Sequence, residues 1–248
     1  MGIGRQFVES TRYEHLGPSD QEEGVPQPPL ELAPEATAAE TRLPGISGHR
    51  AGDLAVMEAI DRRRSVREYA AQPLPQESLS RLLWATQGIK RVMPGVATLR
   101  TVPSAGARHA LETFVLANSV EGLEPGLYRY VASRHSLVAR DNSPGVAQRA
   151  VKACLGQRFV ESSAATFVWA AVPYRMTWRY GERGYRYLYL DAGHVCQNLY
   201  LAAESIGCGV CAIAAFDDEA MDRLVGADGF ELFAIYVATV GYPGHPRR

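Results

Sequence analysis

The sequence predicts an α+β fold in which antiparallel strands pack against helices. Three short segments rich in β-branched or aromatic residues follow one another and are separated by Gly, Pro and Ser: Glu112–Asn118, Gly126–Tyr130 and Ser136–Ala139. A continuous apolar run, Ala164–Val172, is typical of a strand buried on both faces. Because these strands are grouped instead of alternating with helices, an α+β arrangement is favoured over a doubly wound parallel sheet.

The composition is that of an ordinary globular protein. The chain has 248 residues, of which 46% are hydrophobic and 21% charged. Its 26 basic and 27 acidic residues leave a net charge of -1, which provides no field for nucleic acid or an anionic membrane. No apolar run approaches the ~20 residues that cross a bilayer, and no signal segment opens the chain. We therefore expect a cytoplasmic protein whose four cysteines are reduced thiols.

Helical spacing begins at Asp53, which is placed to cap a first helix with Leu54, Met57 and Ile60 on one face. A second helix follows Pro75, ends at Gly88 and is followed by a loop. The remaining predicted elements are a weaker helix over Gly145–Val160, a long helix over Tyr187–Ile206, and a strand, a helix and a strand over Val210–Ala214, Asp217–Val225 and Phe233–Val240.

Residues 1–48 are rich in Pro, Glu, Gln and Ser, and the stretch Val25–Leu30 disfavours both helix and central strand. Such a segment is either a disordered tail or an extended arm on the surface of its own or a neighbouring subunit. The predicted organisation is an N-terminal arm over residues 1–48 and one domain over residues 49–248.

A basic run follows the first helix. In an extended exit segment Arg63, Ser65 and Arg67 alternate and point one way, and guanidinium groups with a hydroxyl suit a phosphate. The alternative is that these arginines complement the helix dipole and remain solvated. The residues alone leave both interpretations open.

Small residues dominate the run Pro103–His109, which leads into a strand and where a planar ligand can approach the backbone. Taken by itself, this segment is more simply interpreted as a plain turn.

The long helix carries a polar strip formed by Asp191, His194, Gln197 and Asn198. We interpret the strip as a hydrogen-bond network within the chain or at a dimer interface, because buried polar groups require partners. His194 has no second ligand at metal-binding spacing, so no metal site is predicted.

Cys208 and Cys211 have the spacing of redox or zinc sites but lack a second pair, so core packing is predicted for them. The sequence also lacks the glycine-rich dinucleotide motif, the P-loop, the nucleophile elbow and the HExxH zinc motif. These absences remove the support for the corresponding enzyme classes.

Taken together, the motifs resemble the FMN-dependent nitroreductase superfamily, and within it the SagB/ThcOx-type dehydrogenase branch. The resemblance covers about residues 53–248 and includes the basic run, the Pro-Ser-x-Gly loop, a long central helix and a turn before a strand. The segments similar to the SagB/ThcOx branch are Arg108–Glu112, Gly126–Tyr130, Tyr185–Tyr187 and Asp191–Leu199. The N-terminal arm resembles the leader of short members of that branch.

The resemblance implies an intertwined homodimer with FMN in a cleft between subunits. It implies that Arg63, Ser65 and Arg67, with Arg64 beside them, hold the FMN phosphate, ribityl chain and pyrimidine edge. The other cofactor-binding residues it implies are Pro103, Ser104, Ala105 and Gly106 from the second subunit, with Arg108 after them, Ala214 and Ala215 at the reactive edge, and Arg247 or Arg248 on the phosphate. A glycine is usual near Ala215, so this sequence departs from the family there.

The implied activity is that of an FMN-dependent oxidoreductase with two-electron hydride transfer through flavin N5. NAD(P)H is the candidate electron donor, and the substrate is a small planar molecule or a peptide. One alternative is an azoline-type dehydrogenase acting on ribosomal peptides, with Tyr180 as the catalytic residue. That group of enzymes carries Lys-Tyr where this chain has Arg179-Tyr180, and arginine cannot act as a base. A second alternative is a non-catalytic flavin-binding dimer.

Overall fold

A computed structural model describes residues 2–34, 38–46 and 54–245 of the chain. The helices are α1 Ile3–Ser10, α2 Val56–Arg62, α3 Gln76–Gln87, α4 Val146–Ala153, α5 Phe159–Ser162, α6 Tyr174–Tyr180, α7 Gly184–Ser205 and α8 Asp218–Val225. The strands are β1 Glu40–Arg42, β2 Ile89–Met93, β3 Ala97–Arg100, β4 Leu111–Ala117, β5 Gly126–Val131, β6 Ser136–Asp141, β7 Ala165–Ala171, β8 Gly209–Ile213 and β9 Phe233–Gly241. None of these helices combines the length and the apolar character needed to span a membrane.

Seven strands form one sheet in the order β1-β6-β5-β4-β7-β9-β8. Every neighbouring pair in it is antiparallel. Strands β2 and β3 form a separate hairpin. The predicted α+β class, with an antiparallel sheet flanked by helices, is therefore confirmed.

Two hydrophobic layers cover the two faces of the sheet. Side chains of β7 alternate between them: Phe167 and Trp169 pack with α3 and α7, whereas Val168 and Ala170 pack with α4, α5 and α8. All four side chains are almost fully buried. Burial on both faces explains why this segment is a continuous apolar run rather than an alternating one.

Most predicted elements are confirmed within a few residues of their bounds. Strands β4 to β9 and helices α3 and α8 lie where the sequence places them, and the predicted face of α3 is buried. The first helix begins at Val56, whereas its predicted cap, Asp53, lies outside the described residues. Its residues Met57 and Ile60 are exposed instead of contributing to the core of this chain.

Two predictions of secondary structure were wrong, and one helix was missed. The loop expected after Gly88 is the hairpin of β2 and β3. The single helix expected over Gly145–Val160 is broken into α4 and α5, because Leu155 and Gly156 adopt positive φ angles of 55° and 81°. Helix α6 was not predicted; it starts just after Pro173, which is compatible with a helix N-terminus.

The described part of the N-terminal arm contains helix α1 and strand β1 and lies on its own domain. Strand β1 pairs with β6 at the edge of the sheet. Farther back along the arm, the Trp178 indole donates to the carbonyl of Val25 at 2.9 Å, and Arg183 donates to the carbonyl of Thr11 at 2.9 Å. The described part of the arm is therefore partly helical and is held on the domain by hydrogen bonds.

A buried charge cluster centred on Glu112 anchors the arm. Arg175 and Arg129 contact the two oxygens of the Glu112 carboxylate at 2.6 and 3.2 Å, and all three side chains are buried. The same arginines donate to arm carbonyls, Arg175 to Pro29 and Arg129 to Leu32. Because buried charges require hydrogen-bonding partners and the arm carbonyls supply some of them, this cluster ties the arm to the domain.

Candidate functional site

The basic segment after α2 runs beside the edge strand β8. The backbone N–H of Val66 donates to the carbonyl of Val210 at 2.9 Å, and Ser65 forms a parallel bridge with Val210. Val66 is buried, whereas Ser65 and Arg67 on either side of it are exposed. Within Arg63–Arg67, Val66 is therefore buried, Arg63 is half-buried, and Arg64, Ser65 and Arg67 are exposed, so exposure does not alternate strictly along the segment.

Tyr200 on α7 supports this segment. The Arg63 guanidinium lies 5.2 Å from the centre of the Tyr200 ring, and the Ser65 hydroxyl is 3.2 Å from the Tyr200 hydroxyl. The Tyr200 oxygen also accepts the backbone N–H of Ala212 at 2.9 Å. Tyr200 was not singled out from the sequence, because a tyrosine in a long helix gives no local sign of this contact.

The basic run holds uncompensated positive charge. Arg62 is paired with Glu58, but Arg63, Arg64 and Arg67 form no ion pair within the described residues. Free guanidinium groups beside a hydroxyl at an exposed edge are suited to an anionic group such as a phosphate.

The small-residue loop is held by α7. The backbone N–H of Ala105 donates to the Asp191 carboxylate at 3.3 Å, and the Ser104 hydroxyl accepts the backbone N–H of His109 at 2.9 Å. Gly106, Ala107 and His109 have positive φ angles of 57°, 53° and 45°. Positive φ is uncommon outside glycine, and such outliers persist only where the surrounding structure enforces them.

Helix α6 packs on the same loop. A Cβ atom added to Gly106 would lie 2.5 Å from the Tyr180 hydroxyl and 2.8 Å from Cδ of Arg179. Only glycine allows this approach. The structure therefore brings the candidate catalytic residue Tyr180 against the predicted ligand loop, with the Tyr187 ring edge-on at 4.9 Å.

Arg108 uses its guanidinium group for contacts within the chain. It donates to the Gln27 side chain at 2.8 Å, to the carbonyl of Val96 at 2.9 Å and to that of Gly106 at 3.3 Å. Burial, and then the charge of Arg179, lowers its pKa. These contacts join the arm, the β2–β3 hairpin and the loop, so the geometry gives Arg108 a positioning role.

Two residues of the polar strip on α7 form hydrogen bonds within the chain, and two are exposed. Asp191 holds the loop, and Asn198 donates to the carbonyl of Ala85 at 2.9 Å, so the predicted internal hydrogen bonds are confirmed for these two residues. Burial raises the pKa of Asp191, and its second carboxylate oxygen has no partner in the described structure. His194 and Gln197 are exposed on the same helix.

The segment after β8 is exposed at Ala214 and Ala215, and the Ala215 carbonyl accepts the Gln157 side chain at 2.9 Å. Arg247 and Arg248 lie outside the described residues.

Cys208 and Cys211 are fully buried in the domain core, in agreement with the predicted packing role. Burial raises the pKa of another core thiol, Cys196, to about 12. A protonated, buried thiol is chemically inert.

The basic segment and the small-residue loop contact opposite sides of α7. Their contact residues, Tyr200 and Asp191, are nine residues apart, which corresponds to ~14 Å along a helix and a rotation of about half a turn. Within one chain the two segments therefore do not face each other.

Apolar side chains remain exposed beside these segments. Val56, Met57 and Ile60 on α2 and Tyr189 and Leu190 on α7 are between 46% and 73% exposed. An exposed apolar surface on adjoining helices is typical of a subunit interface.

The fold and these two segments define a class of α+β proteins with an antiparallel sheet packed on a long helix and a basic edge beside it. The sequence profile of the nitroreductase family matches residues 60–242, so the chain belongs to the nitroreductase family.

Individual relatives agree with this assignment. The chain is 36% identical to MJ1384 of Methanocaldococcus jannaschii, a nitroreductase by name, over 80% of this chain and 95% of that protein. It is 28% identical to the trifolitoxin-processing protein TfxB of Rhizobium leguminosarum bv. trifolii, over 58% of this chain but 40% of TfxB.

Solved structures show the same fold. A nitroreductase structure from Ralstonia eutropha superimposes with a TM-score of 0.69 at 25% identity, covering 89% of this chain and 95% of that one. One from Anabaena variabilis gives a TM-score of 0.70 at 27% identity over 84% of this chain, which spans 42% of that longer chain.

Proposed function

We propose that this protein is an FMN-dependent oxidoreductase that works as a homodimer. The observation that carries the proposal is the set of guanidinium groups of Arg63, Arg64 and Arg67, which form no ion pair within the described residues and flank Ser65 in the segment along the edge strand β8. Membership of the nitroreductase family supports it, because flavin dependence is typical of that family.

The residues present fit a phosphate-bearing cofactor. Arg63, Ser65 and Arg67 would hold its anionic end, and Pro103–Gly106 would lie beside its ring, because small side chains let a planar ring approach the backbone. FMN bound there would supply two-electron hydride transfer through its N5 position, with NAD(P)H as the electron donor.

A second copy of the chain completes this site. Within one chain, Tyr200 holds the basic segment and Asp191 holds the small-residue loop on opposite sides of α7. If two chains pack through their α7 helices, the loop of one chain would face the basic segment of the other. The exposed apolar residues of α2 and α7 would be buried in that interface.

An anaerobic absorption spectrum tests the proposal. We expect the purified protein to be yellow, or to become yellow with FMN, and its band near roughly 450 nm to bleach on adding NADH or NADPH. Nitroaromatics and quinones would then restore the band. A protein that takes up no FMN would contradict the proposal, whereas bound flavin that nothing reduces would identify a non-catalytic flavin-binding dimer.

A second candidate function is the oxidation of azoline rings in ribosomal peptides. It is favoured by the position of Tyr180, whose hydroxyl lies directly over Gly106, and by the similarity to the trifolitoxin-processing protein. A phenol there can hold or transfer a proton at its oxygen, which Arg179 beside it cannot do.

The variant Tyr180→Phe tests this candidate. We expect loss of substrate oxidation with flavin content unchanged, whereas Tyr128→Phe, whose hydroxyl bonds to Glu124 and Asn142 outside both flavin segments, should keep both. Full substrate oxidation by Tyr180→Phe would exclude Tyr180 as the proton-transferring group. Bound flavin that neither NADH nor NADPH reduces, but that an azoline peptide does reduce, would favour this candidate over the NAD(P)H-dependent oxidoreductase.

A further inference from the structure

A cavity of about 580 Å³ lies between the arm and the domain, away from the segments assigned above to the flavin. Its walls come from Pro28, Pro29 and Leu32 of the arm, the start of α6, and the loop between α8 and β9. It contains none of the candidate flavin-binding residues in the part of the chain that the structure describes. Its volume lies within the range of pockets that hold small organic ligands.

The wall of the cavity includes a buried arginine that has an unused hydrogen-bond donor. Arg175 lines the cavity and is 2% exposed. Its Nε donates to the carbonyl of Pro29, and its Nη2 donates to the Glu112 carboxylate. Its Nη1 has no partner among the described groups. Because a buried donor without an acceptor is costly, a ligand oxygen that reached this atom would be stabilised.

The rim carries the opposite charge. Asp228 and Glu231 line the exposed side, and neither forms an ion pair within the described residues. Backbone N–H groups of Leu232 and Phe230 lower the pKa of Asp228, so its carboxylate stays ionised at neutral pH. Phe230 stands between these two residues and is 83% exposed, which leaves an aromatic face for an apolar or cationic group.

We propose that this cavity binds an apolar amine that also carries a carbonyl oxygen, the chemistry of an apolar amino-acid amide or of a peptide end. The carbonyl would accept from Arg175 in the cavity wall, the apolar body would lie against the prolines and Tyr174, and the ammonium group would meet the exposed carboxylates of Asp228 and Glu231. The proposal does not depend on the flavin assignment, since the two sets of residues are separate.

Three matched probes test the proposal: L-phenylalaninamide, 2-phenylethylamine, which lacks the carbonyl, and 3-phenylpropionamide, which lacks the amine. Saturation-transfer NMR titrations of the full chain would measure each affinity, with flavin content recorded separately. We expect phenylalaninamide to bind most tightly and each truncated probe to bind several-fold more weakly. Equal binding of the three probes, or no binding of phenylalaninamide, would overturn the proposal.

Two exposed positions supply variants that leave the core intact. Glu231→Gln should weaken both amines by up to about fivefold and leave the propionamide unchanged, because it removes an exposed charge interaction. Phe230→Ala should weaken all three probes. The control Glu121→Gln, at an exposed carboxylate outside the cavity, should change none of them. Amine binding that is insensitive to both rim variants would place the ligand elsewhere and reject the assignment.

Discussion

The hydroxyl group of Tyr200 lies between Ser65 and the edge strand β8. It accepts the backbone N–H of Ala212 at 2.9 Å and lies 3.2 Å from the Ser65 hydroxyl. Either hydroxyl can be the donor in this pair, and when the phenol donates to Ser65, the serine keeps its own proton for an external acceptor. One tyrosine on the central helix thus orients a polar group at the basic edge.

This relationship predicts that Ser65→Ala and Tyr200→Phe each weaken FMN binding by about three- to tenfold, the effect of one hydrogen bond. Because both variants disrupt one hydrogen-bonded unit, the double variant should lose less than the product of the two effects. Flavin fluorescence titrations measure this coupling, with Tyr128→Phe as the control, because its hydroxyl bonds to Glu124 and Asn142 outside the candidate site. Strictly multiplicative losses would show that Tyr200 does not act through Ser65.

Arg63→Gln should discriminate between FMN and riboflavin. If its guanidinium holds the phosphate, FMN affinity should fall by about 10- to 100-fold, as for a charge-assisted hydrogen bond, whereas riboflavin affinity should change little. Arg62→Gln is the matched control, since Arg62 already pairs with Glu58 one turn earlier. Equal losses for both flavins would argue against a phosphate contact by Arg63.

Gly106→Ala should destabilise the domain by about 1–3 kcal/mol, because it places a side chain at positive φ and drives Cβ into the Tyr180 hydroxyl. Gly95→Ala is the matched control: its φ is also positive, at 69°, but a Cβ there contacts nothing. Urea unfolding of the two variants separates backbone strain from the Tyr180 contact. Equal losses of stability in Gly106→Ala and Gly95→Ala would show that the contact with Tyr180 does not exclude a side chain at position 106.

Glu112→Gln should lower the free energy of unfolding by about 3 kcal/mol, since it leaves Arg129 and Arg175 buried without their counter-charge. It should also loosen the arm, so limited proteolysis within residues 2–34 should accelerate. Glu219→Gln, which breaks an exposed pair with Arg223, should change little in either measurement. Unchanged proteolysis would mean that the arm is held by its other contacts.

His109 should make stability depend on pH. Burial, and then the charge of Arg100, lowers its pKa to about 3, whereas the unfolded chain binds the proton near the ordinary pKa of ~6.5. Between these values unfolding takes up a proton, so His109 contributes a loss of stability as pH falls, at most about 1.4 kcal/mol per pH unit. Stability measurements at pH 5 and 7 should show a weaker dependence for His109→Asn, but an unchanged one for the exposed His194→Asn. An unaltered dependence in His109→Asn would assign the effect to other groups.

Local patterns predicted much of the fold. The apolar run of β7 and the helical spacing of Leu79, Leu82 and Leu83 were sufficient because burial of these side chains repeats with the period of the element itself. The basic run Arg63–Arg67 was likewise visible in the sequence. Helix α6 and the β2–β3 hairpin were missed because their residues carry weaker periodicity and are stabilised by distant contacts.

The sequence by itself determined the class of fold, the order of most elements and the residue types available to hold an anionic cofactor. Only the tertiary structure decided that Gln27 reaches Arg108, that Glu112 anchors the arm, and that Tyr180 lies over Gly106. The reason is that helix and strand periodicity is read over neighbouring residues, whereas these contacts join positions about 70–80 residues apart. Their partners are chosen by the packing of the sheet and α7, which no short segment encodes.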